Sequence, residues 1–310
     1  VRISKFISAV CIAIALPVVA AGIICLLNPL DGLLYLIDIF TQPILTASVL
    51  LTIAILLLRR FRIAALSGLG VALMLVSIMP QTLPDQAPVD EDAAPVTLMW
   101  SNMFVQNPVP QKILPWIAKK HPDIVVLVEV TYKQRKAMAD ILKESYPYVV
   151  RSNDMIIASR YPVTMPTARV RGFVAYSMTV RTPKGPITLV AAHLARPWPY
   201  TAEGKQPYQF EHLYEGLKYL PREKMVLVGD FNSSPYAAHL RDFAKRRDMS
   251  MAYGLPGTWY SVLPAIGRVT IDNVLVSRDL HLSNRQVGPS TGSDHSPVYV
   301  EIRPTKTSKP

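Results

Sequence analysis

The stretch Val226-Leu227-Val228-Gly229-Asp230-Phe231-Asn232-Ser233-Ser234-Pro235 decides how this chain is read. A short aliphatic run reads as a buried strand, and it stops abruptly at Gly, then Asp and Asn one residue apart, then a Ser-Ser-Pro turn. Side chains alternate along extended backbone, so Asp230 and Asn232 are expected to point the same way, into a site at the strand's carboxyl end. Open α/β sheets commonly place their reaction centres there. Locally the same residues also describe a strand followed by an Asx turn, and the surrounding sequence has to decide.

Outward from this strand the pattern alternates between strands and short amphipathic helices. Helices are expected over 207–219 and 236–246 on either side of it, and over 112–119 and 133–143 further upstream. Strands are expected over 96–103, 124–128, 155–157, 170–180, 187–192, 270–276 and 298–302. The mixture of βα units with hairpin-like stretches predicts an α/β (α+β) fold, a four-layer α/β/β/α sandwich of two packed mixed sheets, over residues 96–304.

The first 80 residues are of another kind. Half of the 310-residue chain is hydrophobic although its net charge is +11. The first 80 residues carry only Arg2, Lys5, Arg59, Arg60 and Arg62 against Asp31 and Asp38, so most of the positive charge lies in the remainder. A basic remainder favours anionic partners such as nucleic acid, phospholipid headgroups or other phosphoesters. Residues 6–27 form an uncharged run long enough to cross a bilayer, and further spans are expected over 36–58, tolerating Pro43, and 63–79, where Gly68 and Gly70 suit close packing. A cleaved secretory signal also fits the first run, because Arg2 and Lys5 precede it and Ala20-Ala21-Gly22 offers small residues; its length and the later apolar segments argue for a span. Both basic clusters can lie on the cytoplasmic side only if the loop at Asp31 lies outside, which puts the following domain outside as well. The expected location is therefore an inner or plasma membrane, multi-pass, with the soluble domain periplasmic or extracellular. Residues 81–95, with four acids and three prolines, read as an extended linker, and 305–310 as a tail. Cys11 and Cys25 fall in the first apolar run, roughly 20 Å apart on one helix and thus no disulfide.

Polar residues recur where the strands end: Asn102, Glu129, His193, Asp272 with Asn273, and Ser293-Asp294-His295-Ser296-Pro297. Singly each has an ordinary structural explanation. Together with Gly229-Asp230-Phe231-Asn232, and with Thr258-Trp259 ahead of Asp272, their order resembles the endonuclease/exonuclease/phosphatase superfamily, which is DNase I-like. The resemblance covers residues 95–303 and suggests a membrane-anchored, bacterial-type member.

That resemblance implies a hydrolase acting on phosphoester bonds with Mg2+ or Mn2+ as cofactor. Glu129 would be the main metal ligand, with Asn102 beside it and Asp294 as an extra ligand or a prop. Asp230 would orient or deprotonate the attacking water, and Asn232 would hold the phosphate or that water. Asp272 and His295 would form a carboxylate-imidazole pair, and His193 would donate from the phosphate's other side. Arg196, Trp198 and Tyr200, directly after His193, are substrate-binding candidates that suit a base, a sugar or lipid headgroups. A nuclease-like phosphodiesterase is the first expectation and a phospholipid or sphingolipid phosphodiesterase the second. A catalytically silent, membrane-anchored binding domain is the reading from another class. The expected partners are a membrane and the phosphoester substrate; no protein partner is inferred.

Overall fold

A computed structural model describes residues 2–30, 34–82, 86–152, 154–164, 174–197, 205–252 and 254–306. Two six-stranded mixed sheets make the domain that follows the N-terminal helices. The first runs, in spatial order, β11 (Leu280–Val287), β12 (Val298–Pro304), β1 (Val96–Asn102), β2 (Ile124–Val128), β4 (Met155–Ser159) and β3 (Tyr148–Ser152). The second runs β5 (Val163–Thr164), β6 (Val174–Thr182), β7 (Gly185–His193), β8 (Met225–Asp230), β10 (Asp272–Ser277) and β9 (Met249–Met251). Only β1–β2 and β7–β8 pair in parallel among these.

The alternation of side chains explains the layers. Leu98 and Trp100 of β1 and Val126 and Val128 of β2 meet Val226 and Val228 of β8 between the sheets. The residues between them point outward: Met99, Val125 and Leu127 pack under α5 (Leu114–Lys120) and α6 (Tyr132–Leu142). Leu227 of β8 packs under α7 (Lys205–Leu217) and α8 (Ala238–Arg247). Strands covered on both faces have to be apolar throughout, which is why β2 and β8 read as unbroken aliphatic runs. At Gly229 a Cβ would collide with the carbonyl of Ala192 on the neighbouring strand, so glycine is what lets β7 and β8 close up immediately before Asp230.

The N-terminal region departs from the expected three spans. Among the described residues two helices have the length and hydropathy to cross a membrane, α1 (Arg2–Leu27) and α4 (Phe61–Thr82). The expected span 36–58 is instead divided into α2 (Leu34–Ile39) and a 17-residue α3 (Thr41–Leu57). Pro43 has no N–H to offer the Ile39 carbonyl, so the ladder cannot run through and the proline falls in the first turn of α3. The short helix is also pinned to the two-sheet domain. Tyr35 and Ile39 pack with Ala237, Val269 and Ile271, and Asp38 Oδ2 accepts a hydrogen bond from the Ala238 N–H at 3.2 Å. At the crossing of α1 and α4, Gly70 lies against the Val18 carbonyl with no room for a Cβ, while Gly68 faces open space.

Residues 86–93, expected as part of a linker, lie along the domain's edge. Gln86 bonds both backbone groups of Leu282, and the Asp90 N–H donates to the Pro304 carbonyl. Strands β3, β5, β9 and β11 had no counterpart in the periodicity. The longest, β11, is an edge strand with a register shift between Ser283 and Gln286, where Asn284 has φ +49°. With one neighbour and mixed burial it needs no alternating pattern.

Candidate active site

Strand register gathers the polar residues at one end of the sandwich. His193 ends β7 opposite Asp230 at the end of parallel β8, and antiparallel β10 begins at Asp272, again opposite Asp230. Across the other sheet, Asn102 ends β1 and Glu129 follows β2, while the loop carrying His295 enters β12. The pocket between them has a volume of about 330 Å3, and its lining includes Glu129, His193, Arg196, Asp230, Asn232 and His295.

Asn102 Nδ2 donates to both Glu129 Oε1 (2.9 Å) and Asp230 Oδ2 (3.1 Å), so one amide bridges the two carboxylates. Its Oδ1 accepts from the Phe104 N–H, which turns that oxygen away from them. Glu129, Asn232 and Phe104 all have positive φ (57°, 47° and 57°). Left-handed backbone at non-glycine residues is costly and collects at functional sites. It also corrects the expected alternation beyond Asp230: Asn232 reaches the pocket through a turn in which its own N–H donates to Asp230 Oδ1 at 2.9 Å. The Asx turn and the site are thus the same structure.

His295 Nδ1 lies 2.8 Å from Asp272 Oδ2, and the indole of Trp100 donates to Asp272 Oδ1 at 2.8 Å. Burial works against charge on His295, but the carboxylates of Asp272 and Asp230 outweigh it and push the imidazole up to about 10. Burial likewise raises Asp272, and the His295 charge with hydrogen bonds from His295, Thr258 and Trp100 overrides it and holds the carboxyl low. Asp230 keeps the opposite balance: burial raises it to about 6 despite the nearby His295. Two buried carboxylates facing one imidazole are thus driven apart, one held ionised and one poised near neutrality.

His193 Nε2 lies 3.3 Å from Glu129 Oε1 and 3.9 Å from Asp230 Oδ2. Burial lowers its affinity for a proton, but Asp154, Asp230 and Glu129 together raise it. Asp294 receives the Trp259 indole at 3.1 Å and stands 4.0 Å from His295 Nε2. Two groups have donor atoms within 4.8 Å of one another, Glu129–His193–Asp230 and Asp230–Asp272–His295. The first fits a hard dication, because its two carboxylates face each other with only an amide between them. The second is already balanced by its internal ion pair. Asp294 belongs to neither group.

Arg196 is exposed on the pocket's lining, whereas Trp198 and Tyr200 lie outside the described residues. On α8, Arg246 forks onto Glu211 at 2.7 and 2.8 Å, and the guanidinium of Arg247 lies over the Tyr214 ring. His239 packs edge-on against Tyr35 with ring centroids 4.5 Å apart.

Sequence reasoning missed three residues that shape the site. Asp154, in the β3–β4 turn, stands 3.9 Å from His193 Nδ1. Gln206 at the start of α7 donates through Nε2 to the carbonyls of Ala195, Phe231 and Asn232, and so ties together the loops behind His193 and Asp230. Tyr35 in turn places its hydroxyl 2.7 Å from Gln206 Oε1 and 2.8 Å from Ser233 Oγ. A polar turn residue, a helix-initial Gln and a Tyr in an apolar segment carry no pattern that singles them out.

Known structures share the fold. An endonuclease/exonuclease/phosphatase protein from Beutenbergia cavernae superposes with TM-score 0.54 at 18% identity, covering 69% of this chain and 72% of its own. The human nocturnin catalytic domain, solved with a bound sulfate, gives 0.51 at 18% over 73% and 99%. A Staphylococcus aureus beta toxin variant with bound magnesium ions gives 0.50 at 14% over 69% and 100%. Comparison with curated protein sequences gives no match. The sequence profile of one family matches residues 99–295, more than half of the chain and the whole span from β1 to His295, and on that ground the chain belongs to the Endonuclease/Exonuclease/phosphatase family.

Proposed function

We propose that this chain is a divalent-metal-dependent phosphodiesterase held at a membrane by residues 1–80, with residues 96–304 as the hydrolase domain. The observation that carries the reading is the convergence of Glu129, Asn102, Asp230, His193 and the Asp272–His295 pair on one pocket. Glu129 and Asp230 would hold Mg2+ or Mn2+, with Asn102 fixing both carboxylates; bound there, the ion would neutralise charge on the phosphoryl oxygens. Asp230 Oδ2 lies between Asn102 Nδ2 and His295 Nε2, where it can orient an attacking water. His295, kept cationic with its tautomer set by Asp272, faces the same oxygen of Asp230 at 3.7 Å and can clamp the phosphate. Asn232 completes that side, and His193 supplies a charged donor opposite. Asp294 serves better as a prop for the His295 turn than as a ligand, since Trp259 already occupies one of its oxygens.

The membrane part is supported by side chains that stay exposed on the helices. Leu16, Leu50, Leu57 and Leu69 all turn outward, as a bundle surrounded by lipid requires. The positions of Arg2, Lys5, Arg59, Arg60 and Arg62 favour the domain's placement on the non-cytoplasmic side. The test uses the full chain in detergent micelles with Mg2+ and a chromogenic phosphodiester. Wild type should turn it over, and Asp230→Asn and His295→Ala should each abolish turnover. Undiminished rates in both variants would sink the assignment.

A further inference from the structure

The loop leading into β10, residues 259–270, is built of side chains that do not suit water. Val262 and Ile266 are 71% and 63% exposed, and Tyr260 and Leu263 are exposed beside them. Clustered exposed apolar residues mark a surface that is covered by something else. The same loop is fastened to the 17-residue apolar helix α3, which packs against the membrane-length helix α4. Thr46 Oγ1 donates to the Ile266 carbonyl at 2.9 Å, and Gln42 Nε2 donates to the Ala265 carbonyl at 3.4 Å. Thr46 lies five residues into α3, about 7–8 Å along its axis, within the apolar run that follows Pro43. That matches the roughly 5–10 Å to which interfacial apolar groups sink below the headgroups.

The loop's shape is fixed from within. Arg268, its sole charged residue, donates to the carbonyls of Leu263 and Ser261 and to Ser296 Oγ, beside His295. At the loop's start Trp259 lines the pocket, and its ring stands 6.4 Å from that of Phe40, between α2 and α3. One aromatic pair therefore separates the pocket from the helices that would enter the bilayer. Among the described residues lining the pocket, Arg196 is the one Lys or Arg, so these residues form no track for a polyanionic strand.

Building on the phosphodiesterase reading, we infer that the loop around Val262 and Ile266 is seated in the bilayer's outer boundary and that the pocket takes a phosphoester carried by a lipid of that leaflet. The lipid's chains stay in the bilayer next to the loop, and its headgroup phosphate reaches the pocket past Trp259. A nucleic acid would approach from the aqueous side and gain nothing from the loop.

The test reconstitutes the full chain in vesicles of phosphatidylethanolamine and phosphatidylglycerol with Mg2+. It compares hexadecyl p-nitrophenyl phosphate with methyl p-nitrophenyl phosphate, which share the reacting group but differ in their membrane anchor. Val262→Asp/Ile266→Asp, both at exposed positions, should cut kcat/KM for the hexadecyl ester about tenfold or more while leaving the methyl ester within about twofold. A nitroxide on Ile266→Cys should relax more with oxygen than with a water-soluble nickel chelate; Cys11 and Cys25 are buried and would not be labelled. Equal loss on both esters, no loss on either, faster cleavage of an oligonucleotide, or a label open to the nickel chelate would each overturn the inference. Methyl-ester turnover in the first three cases would leave the phosphodiesterase reading standing. Turnover of neither ester would remove both.

Discussion

Replacing Asp272 by Asn removes a charge while keeping the shape of the side chain and an acceptor for the Trp100 indole. The ion pair it breaks is buried and close, with Nδ1 and Oδ2 2.8 Å apart. With charge centres about 4 Å apart, and the effective dielectric that reproduces protein electrostatics, the lost attraction is about 4 kcal/mol, or about three pH units of imidazole affinity. His295 should therefore fall from about 10 to near 7, since Asp230 and Asp294 still favour its charged form. If the cationic ring clamps the phosphate, kcat/KM for a soluble diester stays level to high pH in wild type. In Asp272→Asn it declines from near neutrality. Stability has the same sign: the folded value of His295 lies above its unfolded 6.5, so the pair's contribution is complete below that pH and fades as pH rises toward 10. The assay is the pH dependence of kcat/KM in micelles, with circular dichroism as the folding control. A folded variant whose basic limb stays within about one pH unit of wild type would refute the role given to the pair.

Three further perturbations probe other parts of the structure. Tyr35→Phe deletes the hydroxyl shared by Gln206 and Ser233 without leaving a cavity; it should lower thermal stability by about 1–3 kcal/mol, while Tyr219→Phe on the exposed surface should change nothing. Gly229→Ala drives a methyl group into the Ala192 carbonyl and should cost ~3 kcal/mol or more, read as lost folded protein or a collapsed melting temperature. Asp230 sits above its unfolded value, so its ionisation weakens the metal-free protein as pH rises through about 4 to 6. Mg2+ should accordingly raise the melting temperature more at pH 8 than at pH 5, and EDTA should cancel the difference; an equal rise at both would show the ion bound elsewhere.

What was legible in the sequence was whatever a single strand or its end could carry. β2 and β8 lie between two layers, so burial on both faces wrote them as aliphatic runs, and each run led into the acid that reached the pocket, Glu129 and Asp230. Edge strand β11 answers to one neighbour and left no such trace. The second apolar segment breaks just ahead of Pro43, and the tertiary contacts of Tyr35 and Asp38 that hold the short helix on the domain are averaged away by a hydropathy window. The roles of Gln206 and Asp154 came from distant chain segments meeting, and composition holds no sign of that. Trp198 and Tyr200 lie outside the described residues, so their place at the pocket rests on sequence alone.

The bond between Tyr35 and Gln206 joins residues 171 positions apart, and this separation imposes an order on biogenesis. At ordinary translation speeds Tyr35 leaves the ribosome roughly 10–30 s ahead of its partner. The apolar helices are thus made and placed while the polypeptide that will tie the loops behind His193 and Asp230 does not yet exist. The pocket can assemble only after that, and a nascent chain released early carries the apolar helices without the Gln206 contacts that brace the loops behind His193 and Asp230.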